Sequence, residues 1–511
     1  MNRRAASPIL GVILAVVGFV ASYFANARVM GTLFNADAIQ MPAVFADIFE
    51  RGGSFSHWTI APAPAIVPEY GMYALAYLVG INLFGRVLVY SLIQVSLLWV
   101  LVFILGRAVG IKNALVASSV TVTLMMLLCL LTVRNFLQVL QSAFHFGGFL
   151  MQLVLFSLVF LAWRADQRRR RWTFVAVIAL LVAVGSFNDA LFVVQAVVPL
   201  ALIVATGVAL RRIEWREGLI FVAVISSFAF VGYKLYPRLM PHPISNVRGL
   251  DLLGAGRDLS EFGSDFAVSG VSMVVAITLI VTTCALGVCS LILLVRRNQV
   301  GWLSFLSNDG IRVLAAIGLL GSATTVVAMF VTSAGLSARY LLPLYYWPCI
   351  LVPMIIVELR SKWMPGLAAA VALAFGLALT GVGLSAVVKN GVHTDYYPDW
   401  VACIDQAAQE FGVKHALGTY WVTKPVQELS RSTITVTNLA DVRGQEFWIA
   451  SDKNQFDSYD AFIDDKRNPT PEFLQDIREI AGTPVTTVKC SRATITIYEP
   501  GAIKAADLTQ Q

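Results

Sequence analysis

The chain has 511 residues, 57% of them hydrophobic and only 14% charged, with a formal net charge of +7. Its mean hydropathy is +0.72. Ordinary soluble domains carry about a quarter charged residues, so this composition excludes a soluble globular protein and specifies a polytopic membrane protein. Much of the positive charge lies in short runs beside apolar segments, where it sets orientation and implies no nucleic-acid partner.

In chain order, Arg3-Arg4 leads an apolar run from Pro8 to about Ala25. No small-residue cleavage site follows, so it reads as a retained first span. The next segment, 26–69, carries Asp37, Asp47, Glu50 and Glu69. Asp37 stands at the mouth of the bilayer, where an unused carboxylate costs solvation. It either does chemistry or N-caps a helix running from about Ala38 to Glu50. Asp47 and Glu50 read as a solvated face of that helix.

Further apolar runs begin near residues 87, 114, 147, 173, 190, 218, 267, 311, 340 and 365, each of roughly spanning length. The apolar stretch 70–84 decides the topology. As a helix it would reach only about 22 Å, short of a ~30 Å hydrocarbon core. The basic clusters Arg3-Arg4, Arg107/Lys112, Arg164 with Arg168 to Arg171, Arg211-Arg212/Arg216, Arg296-Arg297 and Arg360/Lys362 can share one side only if 70–105 crosses once. The expectation is therefore a helix at the outer interface over 70–84, then a true span over 87–105. That makes about eleven spans, with the N-terminus cytoplasmic and the tail outside.

The outer face then holds the segments 26–69, 133–146, the turn at Asn188-Asp189, loop 237–266 and the link 333–339. The fold class is an α-helical polytopic membrane protein, with a membrane module over 1–389 and a small extracytoplasmic α/β domain over 390–511. In the tail, 399–411 and the Thr470-Pro-Glu start predict helices, and 433–437, 447–450, 485–489 and 493–498 predict strands. Cys403 and Cys490, the two tail cysteines, are candidates for one disulfide in an oxidising compartment. No ligand spacing for a structural zinc occurs.

The order of a span, an acidic outer loop, an interfacial helix ending in Asn82-Leu-Phe-Gly-Arg86, then a span resembles the GT-C superfamily of membrane glycosyltransferases. Gln141-Ser-Ala-Phe-His145-Phe-Gly-Gly148 and Arg339-Tyr340-Leu-Leu-Pro343 reinforce the resemblance, which covers about 8–388. It implies a polyprenyl-phosphate-linked sugar donor and a glycan, lipid or protein acceptor in the envelope of a bacterial inner membrane. Asp37 would be the catalytic base. Arg339 would bind the donor phosphate, the alternative being a snorkelling arginine. His145, Asp189, Tyr340 and Glu69 would be substrate-binding. The alternatives are an interfacial histidine, ordinary turn chemistry at Asn188-Asp189, and a Glu69 that orients the interfacial helix.

The chain departs from familiar branches in three places. Asp37 is followed by Ala38 rather than a second acid, Ala61 to Pro68 replaces a His-Pro-Pro run, and the second outer segment has no Asp-x-Asp. The metal requirement is thereby left open, a divalent cation being one option. A transporter or flippase of lipid-linked glycans is the leading rival from another class. It would need charged groups inside spans and broken midplane helices, whereas the polar groups here gather at span ends. An O-antigen polymerase or ligase also survives, on Arg238, Arg248 and Arg257 in loop 237–266. A scaffold displaying the tail is the third reading.

Overall fold

The structure is a computed structural model describing residues 3–27, 30–130, 134–142, 145–243, 270–296, 306, 308–332, 340–359, 363–441, 446–447, 449–467 and 469–508. Arg339, and loop 237–266 beyond residue 243, lie outside the described residues.

The spans are α1 (Arg3–Phe24), α4 (Leu83–Val109), α5 (Ala114–Leu130), α6 (Phe146–Trp163), α7 (Arg168–Asn188), α8 (Ala190–Ala209), α9 (Trp215–Leu239), α10 (Gly270–Val295), α11 (Asp309–Thr332), α12 (Leu342–Glu358) and α13 (Met364–Asn390). Among the described residues nine of these helices are long and apolar enough to cross a bilayer, while α5 and α12 are shorter apolar helices. Together they account for the eleven expected runs. Before α4 come α2 (Ala36–Phe49) and α3 (Gly71–Val79).

Glycines weld the first span to the last. A Cβ on Gly11 would lie 2.5 Å from the Ala372 carbonyl oxygen, and one on Gly18 would lie 2.3 Å from that of Leu379. Gly376 and Gly383 meet Gly11 and Gly18 in return. Only a hydrogen side chain permits such backbone approach, the usual way to gain packing between helices in lipid. Residue numbers rise together along both helices, so α1 and α13 run parallel and an even number of crossings separates their starts.

At one end of the bundle the basic linkers meet. Arg164 Nη2 donates to the Val109 carbonyl at 2.8 Å, the Lys112 amide to Glu358 at 3.0 Å, and Arg171 pairs with Glu217 at 3.3 Å. The opposite end carries α2, α3 and the tail.

The interfacial helix is shorter than its sequence suggests. A wide five-residue turn, Ile66–Tyr70, leads into α3, which stops at Gly80. The Asn82 side chain then caps α4 by accepting from the Gly85 amide at 2.8 Å. Leu-Phe-Gly therefore opens the second span instead of closing the interfacial helix. At nine residues α3 is about 14 Å long. It buries Met72, Tyr73 and Ala76 and exposes Leu75, Leu78 and Val79, the pattern of a helix lying at a lipid surface.

The tail is an α/β domain whose six-stranded sheet has the order β3-β2-β1-β5-β7-β6. Its strands are β1 (His415–Thr419), β2 (Thr435–Asp441), β3 (Glu446–Phe447), β5 (Ala461–Asp465), β6 (Thr486–Lys489) and β7 (Ala493–Ile497), while β4 (Ser458–Tyr459) and β8 (Ile503–Lys504) form a separate ribbon. β1 pairs in parallel with both β2 and β5. Helices α14 (Asp399–Phe411), α15 (Tyr420–Leu429) and α16 (Pro471–Ala481) surround the sheet. The Cys403–Cys490 disulfide joins α14 to the end of β6. It closes a loop of 87 residues; replacing both cysteines by serine is expected to cost the domain about 2–5 kcal/mol. Denaturant titration of the tail's far-ultraviolet circular dichroism, or protease cutting within it, measures that loss.

The domain is docked on the membrane module by side chains. Arg51 pairs with Glu428 at 3.1 Å, His57 with Asp452 at 2.8 Å, and the Thr59 amide donates to the Ala450 carbonyl at 2.9 Å. Asp47 is not on a solvated face, contrary to the sequence expectation. It is buried and accepts from Trp58 Nε1 at 2.8 Å. Lys424 of α15 is fully buried with its ammonium 4.4 Å above the Trp58 ring. Burial pushes its pKa down to about 8, against the pull of Glu428. Glu50 is exposed yet paired, with Arg86 at 2.5 Å and the Tyr77 hydroxyl at 3.1 Å.

Candidate active site

Asp37 sits in the first turn of α2. The capping role belongs to its neighbour: the Asn35 side chain accepts from the Ala38 amide at 2.9 Å. Asp37 is thereby left half-buried at a helix N-terminus, where the dipole favours negative charge.

The chain 134–142 lies against this loop. Gln141 Nε2 donates to the Thr32 carbonyl at 2.7 Å, and Ser142 Oγ donates to the Ala38 carbonyl. From below, Ser91 Oγ holds the Leu140 carbonyl at 2.6 Å and Gln94 Nε2 holds that of Gln138 at 2.9 Å. Such donors inside a span are costly unless paired, and here they fix irregular backbone at the membrane mouth.

Three residues further on, His145 adopts a left-handed conformation, φ 60°, and α6 starts after it. Its Nδ1 lies 2.7 Å from Asp189 Oδ2. The other Asp189 oxygen accepts from the Leu191 amide at 2.9 Å and so caps α8. The Asn-Asp turn thus supplies ordinary capping chemistry and at the same time holds the His145 ring. The Tyr340 ring meets the His145 ring edge-on, with centroids 5.2 Å apart.

Glu69 completes the group from a third direction. It is 3% exposed and packs against the first turn of α6. A Cβ on Gly147 would lie 2.0 Å from Glu69 Oε1, and one on Gly148 would lie 3.2 Å from Asp189 Oδ2. The paired glycines therefore admit two carboxylates to one helix N-terminus. Glu69 serves that helix rather than the interfacial one that its sequence position suggests. Burial, reinforced by the nearby Asp189 charge and opposed by the Gly147 amide, raises its pKa from 4.5 to about 8. The Asn188 side chain anchors the turn carrying Glu69 by accepting from the Val67 amide at 2.8 Å.

This burial has a sign. Folded Glu69 holds its proton while the unfolded chain releases it above pH 4.5. The associated stability is complete below that pH and is lost as pH rises to about 8. Thermal unfolding in detergent is expected to decline over that window in the wild type and to be flatter in Glu69→Gln. Parallel curves would contradict it.

The structure therefore gathers His145, Asp189, Glu69 and Tyr340 around the start of α6, with His145 touching both Asp189 and Tyr340. It links Asp37 to them through the pinned segment that ends in Ser142. Two polar residues escaped the sequence reading, Gln152 in α6 and Gln195 in α8. Their signal was available, since an amide inside an apolar run is expensive. Among the described residues no group of three or more His, Cys, Asp or Glu is placed to hold a metal ion.

No protein-family model matches the sequence. No curated protein matches it either. Among solved structures the chain is similar to ArnT from Cupriavidus metallidurans in the apo state, with 11% identity, a TM-score of 0.47 and 94% of each chain covered. It is also similar to the same protein bound to undecaprenyl phosphate, with 10% identity, a TM-score of 0.48, and 98% of this chain and 99% of the other covered.

Proposed function

We propose that the protein is an inverting GT-C-type glycosyltransferase of a bacterial inner membrane. Its N-terminus would be cytoplasmic, and its site and tail domain periplasmic. The basic linkers collected at one end of the bundle support that orientation. The donor is a polyprenyl-phosphate sugar and the acceptor a cell-envelope glycan, lipid or protein.

The supporting observation is the gathering of His145, Asp189, Glu69 and Tyr340 at the membrane mouth, next to the loop that carries Asp37. In the reaction the acceptor hydroxyl oxygen attacks the anomeric carbon from the face opposite the phosphate. Its proton passes to the Asp37 carboxylate. The bond from the anomeric carbon to the phosphate oxygen breaks and its electron pair stays on the phosphate, giving an inverted glycoside and polyprenyl phosphate. Arg339 is the cation offered to the developing phosphate charge, and His145, held by Asp189, is a further contact for the phosphate. The tail domain, docked on α2, would present the acceptor.

Transport is the weaker reading because charged side chains of the described spans cluster near their ends. The test is transfer of radiolabel from a panel of polyprenyl-phosphate sugars into membrane acceptors by vesicles containing the protein. Protein-dependent transfer is expected. If no donor in a broad panel is used, transport or a scaffold role takes its place.

A further inference from the structure

The break that carries Asp189 is followed by an irregular turn in the first half of α8. Over Val193–Val197 the backbone opens to i→i+5 hydrogen bonding. Such a bulge releases a carbonyl and turns side chains out of helical register, and it recurs at functional sites. Here the Val194 carbonyl accepts from Thr324 Oγ1 of α11. The backbone of α11 comes so close that a Cβ on Gly321 would lie 2.6 Å from the Gln195 carbonyl oxygen.

The Gln195 side chain, 2% exposed, spans two partners. Its Nε2 donates to the Tyr340 carbonyl at 2.6 Å, and its Oε1 accepts from Gln152 Nε2 at 2.9 Å. Gln152 lies in α6, whose N-terminus holds His145 and Glu69. The amide chain therefore ties the base of the His145 helix to the residue whose ring packs on His145.

We infer that Gln195 is a positioning residue for the donor half of the site, setting Tyr340 against His145 through the Tyr340 carbonyl. This inference rests on the glycosyltransferase reading. The geometry explains why a glutamine is kept in an apolar span. An apolar residue would remove the bonds that the Tyr340 carbonyl and the Gln152 amide make to Gln195 in a water-poor interior. It also explains the bulge, because residue 195 would point elsewhere in a regular helix.

The experiment uses the full-length protein in vesicles, with 3-fluorotyrosine installed at position 340. Wild type, Gln195→Met and Gln152→Met are compared by ¹⁹F spectroscopy and by transfer kinetics. In Gln195→Met the Tyr340 resonance is expected to shift or broaden, and the donor KM to rise roughly tenfold with kcat largely kept. Gln152→Met, which keeps the bond to Tyr340, is expected to move both readouts the same way by less, and it serves if Gln195→Met fails to fold. An unchanged resonance, or a changed resonance with unchanged donor KM, overturns the inference. Failure of the wild type to use any donor sinks the glycosyltransferase reading instead. The ¹⁹F comparison then still decides whether Gln195 holds Tyr340.

Discussion

Asp37→Asn is expected to lower the turnover of sugar transfer about 10²–10⁴-fold, the usual contribution of a general base. The donor KM is expected to stay near its wild-type value, because the amide keeps the shape of the carboxylate and loses only its basicity. The substitution is unusually clean here. Asn35, not Asp37, supplies the side-chain cap of α2, so the substitution leaves that cap in place. A purely structural Asp37 predicts unchanged turnover with a lower melting temperature. Measuring kcat, KM and thermal stability on matched vesicle preparations separates the two, and equal turnover would remove Asp37 from the chemistry.

The second large effect is expected at a residue with no functional group. In Gly147→Ala the new methyl carbon would fall 2.0 Å from Glu69 Oε1, far inside contact distance. The Glu69 carboxyl is buried and its turn is held by Asn188 and by α3, so it cannot swing away freely. Either that turn or the start of α6 must give way, and His145 moves with α6. Misplacement by about 1 Å at a reacting centre can cost on the order of 10²-fold in rate. Transfer is therefore expected to fall by about that factor, with a lower melting temperature. Gly148→Ala, where the new carbon would sit 3.2 Å from Asp189 Oδ2, is expected to be milder. Equal and small effects at both positions would mean that the first turn of α6 is not a rigid part of the site.

Much of the architecture was legible because lipid imposes simple rules. Apolar run length and the sidedness of arginines led to eleven crossings and one helix too short to cross. The element ends were less legible. Gly80 and the Asn82 cap move the helix boundary from after Leu-Phe-Gly to before it, a decision made by one side-chain hydrogen bond. In the tail, β1 and β5 escaped because each is buried on both faces and lacks polar alternation, and His-Ala-Leu-Gly-Thr carries little strand propensity.

The site was legible in part for the same reason. Acids and histidine at span ends are costly enough to attract notice individually, but their pairing depends on which turns meet in space. Asp47 was misjudged because a helix in the outer loop suggests a wet face, whereas the loop folds back and closes Gly53 and Trp58 over it. The glutamines escaped because one amide barely lowers the average hydropathy of a whole span, although burying it is costly.

The parallel glycine seam between α1 and α13 has a consequence for biogenesis. The ribosome releases α1 hundreds of residues before α13, so the earlier helix must wait in the translocon or in lipid with its glycine groove unfilled. The outer loop carrying Asp37 hangs from that waiting helix, and the domain that docks on it follows α13 in the chain. A newly made chain therefore assembles this outer mouth only after both α13 and the tail domain have been synthesised. Substitutions such as Gly18→Leu should then show themselves less as slow enzymes than as chains cleared by quality control before they are finished.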